Sequence, residues 1–148
     1  MKKLVVLFVI LFVSVSVMSC KKDKHGQMGS SNIVAVGDIQ VNFDVMDKKA
    51  YDSMMKMMNQ KPVDDSKHHI VLTVSDKAKK ALVKGAVVTL EVFTPDKKKV
   101  IVKANVIEGG NMYHYAGAIN MKAAGEYQVK AKIKVKDKVI EAGTSFKK

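Results

Sequence analysis

The side chains able to do chemistry in this chain are imidazoles and thioethers. Histidine stands at His25, His68, His69 and His114. Methionine stands at Met28, Met46, Met54, Met55, Met57, Met58, Met112 and Met121, besides Met1 and Met18 in the apolar leader. Thioether sulfur is a soft donor suited to Cu(I), and imidazole serves copper and several other metals. Outside the cytoplasm, methionine also avoids the disulfide chemistry that consumes thiols. Met112 and His114 are two apart on a strand-like segment, so they project from one face, whereas the adjacent His68 and His69 place one imidazole on each face. With Met121, these four are the candidate ligands for a soft or borderline metal ion, Cu(I) foremost. No spacing such as H-x-x-x-H fixes a geometry. The ordinary reading of the same residues is a surface strand at His114 and a solvated strand start at His68-His69.

Other chemistry is poorly provided for. The one cysteine, Cys20, allows neither an intrachain disulfide nor a thiolate cluster. The chain lacks G-x-S-x-G, H-E-x-x-H, P-loop and dinucleotide fingerprints. Its carboxylates are scattered through lysine-rich stretches without an evident acid/base pair, so no enzymatic activity is expected. The formal charge is +12, but all 26 basic residues are lysine. Without the planar guanidinium of arginine, and with 6% aromatics, specific nucleic-acid recognition is not expected.

The elements that must position the candidates are mostly strands. Ile39, Val41, Phe43 and Val45 alternate with polar residues. Similar runs follow at Ile70–Val74, Val88–Val92, Val100–Ile107, Met112–Met121, Tyr127–Val135 and Val139–Phe146, separated by turn signals such as Lys84-Gly85, Pro95-Asp96 and Gly109-Gly110. The expectation is an all-β, antiparallel two-sheet sandwich of about seven strands. Lysines alternate with the apolar residues of the sixth run, so they coat an outer face and guard against edge aggregation. One segment breaks the period. Lys48–Gln60 carries Tyr51, Met54, Met55 and Met58 at i, i+3, i+4 and i+7, which predicts a short amphipathic helix between the first two strands. That stripe is expected to pack on a core, with Met57 off it and exposed.

The chain start reads as an export signal. Lys2 and Lys3 precede an apolar run from Leu4 to Val13 that is shorter than the roughly 20 residues of a membrane span. Val17-Met18-Ser19-Cys20 resembles the lipobox of bacterial lipoproteins, in which the cysteine is lipidated and the chain cut before it. The expected organisation is a signal peptide at 1–19, a lipidated flexible tether at 20–37 and one domain at 38–148. Cys20 is the expected lipid-attachment site. No acidic residue follows it directly, which implies the periplasmic side of the outer membrane in a Gram-negative cell.

Longer stretches resemble known families. His68-His69-Ile70-Val71-Leu72-Thr73-Val74, then Lys84-Gly85-Ala86-Val87-Val88, Thr94-Pro95-Asp96, Tyr113-His114-Tyr115 and Gly125-Glu126-Tyr127 follow the order seen in YtkA-like and FixH-like exported domains. The resemblance covers about residues 68–135 and implies an immunoglobulin-like β-sandwich, with relatives in copper and heavy-metal handling. His114-Tyr115, Ile119, Met121 and the Gly125/Tyr127 pair also resemble part of the copper-binding periplasmic accessory proteins of iron transport. That likeness implies a ligand role for His114 alone: the Gly-Pro preceding the histidine in that family is absent, and Ile107 stands where a methionine ligand is expected. The Gly125-x-Tyr127 pattern also suggests a tyrosine corner, making Tyr127 structural. The reading is thus an envelope lipoprotein, membrane-bound through its anchor, that handles copper. The alternative is a non-enzymatic surface or assembly module binding another envelope protein.

Overall fold

The computed structural model describes residues 30–62 and 64–148. Cys20, the leader and the tether residues His25 and Met28 lie outside the described residues. Ten strands and one helix follow in order: β1 (Ser30–Val36), β2 (Ile39–Asp47), α1 (Lys48–Met57), β3 (His68–Asp76), β4 (Ala81–Leu82), β5 (Val87–Phe93), β6 (Lys99–Lys103), β7 (Asn105–Gly109), β8 (Met112–Ile119), β9 (Glu126–Val135) and β10 (Lys138–Lys147). They form two antiparallel sheets, ordered β1-β2-β3-β8-β7 and β10-β9-β5-β6, with β4 added to the end of β3.

The expected sandwich is what the chain builds. Inward residues of both sheets, including Phe43, Leu72, Leu90, Tyr115, Tyr127 and Ile133, share one buried core. Where the sheets approach, Gly117 of β8 faces Leu90 and Val102 so closely that a Cβ would lie 2.8 Å from Leu90 Cδ1. Three expectations from the sequence need correcting. Ser30–Val36, assigned to the tether, is an edge strand paired along its whole length with β2. The run Val100–Ile107 is not one strand: it passes from one sheet to the other at Ala104, whose amide bonds Val88 O at 3.0 Å. Met121 is not in a strand; β8 ends at Ile119, and Met121 is buried in the main core beyond it.

Tyrosines fix the loops. Tyr127 donates to Ala123 O at 2.9 Å, four residues upstream, as a tyrosine corner requires. Tyr115 donates to Val83 O and accepts from the Ala86 amide, and burial pushes its hydroxyl pKa up to about 12.

Helix α1 gives the first sheet a second layer. Asp47 caps it by accepting the Ala50 amide at 2.7 Å, and a Lys48–Asp52 pair supports its first turn. Its stripe falls as expected: Tyr51, Met54, Met55 and Met58 are buried with Val71, Ile107 and Ala116, while Met57 is 72% exposed. Burying each of those four contributes about 1.5–3 kcal/mol. The helix therefore lies on the outer face of the β3/β8/β7 region. Its C-terminal end sits over Gly109, with Met58 O only 2.3 Å from where a Cβ would stand.

Candidate metal centre

Strand register decides where each candidate lies. β3 and β8 pair antiparallel, with His69 opposite Ala118 and Leu72 opposite Tyr115. β7 and β8 pair with Ile107 opposite His114 and Gly109 opposite Met112. The face carrying His69, Val71, Ala116, His114 and Met112 is the outer one, beneath and beside α1. His68 takes the other face, that of Ile70 and Leu72, as adjacent strand residues must.

His69 is not the solvated strand start of the ordinary reading. It is 1% exposed, stacked on Tyr51 with ring centroids 3.6 Å apart and planes 6° from parallel. Its Nε2 bonds Asp64 Oδ1 at 3.1 Å, and Asp64 also accepts the Ser66 amide at 2.7 Å. Burial holds the imidazole pKa below its ordinary value, against the opposing pull of Asp64. His69 thus ties α1 and the polar connector to the sheet, and its Nδ1 is buried without a partner among the described residues.

His114 lies in a different setting. Its Nδ1 is 2.9 Å from Thr73 Oγ1 on the neighbouring strand, which fixes the half-buried ring and leaves Nε2 as the nitrogen available to a ligand. Burial lowers its pKa, partly offset by the Asp44 carboxylate, so the ring is neutral and ready to coordinate at neutral pH. Met112 follows on the same face, as its spacing predicts, and is 36% exposed. Ile107 fills the register position beside His114, so β7 brings no thioether there.

His69 and His114 do not meet. Four residues of β8 separate Ala118, opposite His69, from His114, a span of about 13 Å. A single ion cannot bridge them. His68 and Met121 share a cleft: both line a cavity of 90 Å³ at the end of the sandwich, with Val45, Asp47, Phe146, Lys147 and Lys148. Among the described residues, no three histidine, cysteine or acidic side chains are grouped as a metal site. The available donor sets are imidazole–thioether pairs, which suit a soft monovalent ion better than zinc or a hard divalent one. Sequence reasoning missed Thr73 and Asp44, because only the β2-β3-β8 register makes them neighbours of His114.

No family model and no curated protein matches the chain. Solved structures do resemble it. A DUF4426 family protein from Pseudomonas aeruginosa is 13% identical, with a TM-score of 0.58 over 80% of this chain and 92% of that one. FetP of a uropathogenic Escherichia coli strain is 10% identical, with a TM-score of 0.62 over 84% and 97%. A copper-bound variant of FetP is 12% identical, with a TM-score of 0.60 over 83% and 97%. At such identities the likeness establishes a shared β-sandwich fold.

Proposed function

We propose that this protein is an exported, non-enzymatic copper-binding module, lipid-anchored in the cell envelope through Cys20, that handles or buffers copper with His114 as its central ligand. The observation that carries the reading is the setting of His114: a half-buried ring pinned through Nδ1 by Thr73, on one face with the thioether of Met112. The copper-bound FetP variant, a sandwich of the same fold, supports copper as the metal. The thioether favours Cu(I) over Cu(II).

A Cu(I) competition titration against a chromophoric chelator, under reducing conditions, tests this. His114→Ala should weaken binding by more than about 10-fold, since loss of even an outer partner costs a metal site 10–100-fold. Unchanged affinity in a folded His114→Ala protein refutes the reading. The rival is then an interaction module, favoured by Val100, Ile101 and Val106 exposed along the β6–β7 edge.

A further inference from the structure

The cleft at the sandwich end is remote from His114 and has its own donors. His68 is opposite Ile119, five residues along β8 from His114 and on the other face of the sheet. Its Nδ1 is buried and unpartnered among the described residues. With the ring proton on Nε2, that nitrogen offers a lone pair with nothing to receive it, an unfavourable arrangement for a buried polar atom. Met121 closes the same cleft, only 4% exposed, and both residues also border an adjoining open depression of 560 Å³, which gives a route from solvent.

We propose that His68 and Met121 form a second metal site, specific for one soft monovalent ion of the Cu(I) or Ag(I) type and independent of His114. The donor pair is one imidazole nitrogen and one thioether, the two-coordinate N,S set that soft d¹⁰ ions accept and harder divalent ions do not. The surroundings select by charge as well. Asp47 is outnumbered by Lys147 and Lys148 around the cleft, so the surroundings oppose a divalent ion more strongly than a monovalent one bound by the two neutral donors. The Lys148 ammonium is occupied by bonds to the backbone oxygens of Met121 and Lys122 at the rim. His69, the adjacent imidazole, faces the other side and takes no part.

Silver(I) is the redox-inert probe. In a titration of the whole mature protein followed by methionine methyl and histidine ring NMR, the Met121 methyl and the His68 ring should shift together and saturate as one event. Zn(II) should move neither. His68→Ala should weaken that event by more than about 10-fold, and Met121→Leu, which conserves core volume, should do the same in a folded protein. His114→Ala should leave it intact. If the Met121 methyl does not move with Ag(I), or if either substitution leaves its binding curve unchanged, the second site is refuted. That result would not touch the His114 reading, which has its own test in the Cu(I) affinity of His114→Ala.

Discussion

Alanine at Gly109 tests whether the second layer over the sheet is clamped where the geometry places it. An added Cβ would lie 2.3 Å from Met58 O, 3.0 Å from Met58 Cβ and 3.2 Å from Met58 C, against ordinary contacts of 3.4–4 Å. Two of these three atoms belong to the backbone, so no side-chain rotation relieves the clash; the end of α1 must rise by about 1 Å to reach the ordinary contact distance. That displacement drags Met58, and with it Met54 and Met55, off Val71, Ile107 and Ala116. A gap of about 0.5–1 Å already forfeits a quarter to a half of each contact, and overpacking of this kind typically costs about 1–3 kcal/mol. Gly143→Ala is the matched control, because its nearest atom is Val129 O at 3.6 Å. Alanine there should be neutral or slightly stabilising, through the unfolded chain. Urea unfolding followed by far-ultraviolet circular dichroism measures both. A Gly109→Ala cost within about 0.5 kcal/mol, the range of indifferent surface changes, would show that α1 is not seated on β7.

The histidines predict an acid dependence of stability. All three described imidazoles have pKa values below the ordinary 6.5, His69 and His114 through burial and His68 through burial and then Lys148. The folded chain therefore resists protonation that the unfolded chain accepts, so this stability is complete above about pH 6.5 and is lost as the pH falls below it. Metal-free protein should show a lower urea midpoint at about pH 5 than at about pH 7.5, and His69→Phe, which keeps a ring against Tyr51, should flatten the difference; an unchanged midpoint in the parent protein contradicts the assignment. For the anchor, Cys20→Ser should move the exported protein from the detergent phase to the aqueous phase on phase separation, and retention in detergent would exclude lipidation at Cys20.

The alternation of apolar and polar residues makes most of the sandwich legible in the sequence, because each run has one face on the core. The helix stripe is equally plain, down to the exposure of Met57. β1 is harder to read because Ser30–Val36 is an edge strand whose Ile33 is 65% exposed, so burial imposes little alternation on it. The switch between sheets at Ala104 is hidden because apolar residues flank it on both sides and no glycine or proline marks it. At the candidate site, the spacing of Met112 and His114 correctly places both on one face. Thr73, Asp44 and the burial of His69 under Tyr51 are beyond reach, since each depends on partners brought in by strand register or by a connector, which local periodicity does not report.

A cation-binding role in a chain of charge +12 requires that the charge be unevenly used, and the fold provides this. The uncovered outer face of the second sheet carries Lys99, Lys103, Lys130, Lys132 and Lys134 against Glu91 and Glu141. Glu91 bridges Lys99 and Lys132 at 3.1 and 3.0 Å, and Glu141 bonds Lys130 at 2.7 Å, which leaves that face strongly positive. The helix side of the first sheet is balanced instead. Lys48 pairs there with Asp52 and Asp65, and Asp64 bonds His69. A metal ion approaching His114, as proposed, would meet the side of the sheet that carries Asp44, while the lysine face on the far side is screened by solvent and salt over a Debye length of about 8 Å. The alternating lysines of the second sheet lie on the far side of the sandwich from His114 and Met112, and the covered sheet lowers the pKa of its imidazoles by burial. Those two arrangements belong to different sheets, so the basic charge of the chain and the cation binding proposed at His114 do not compete.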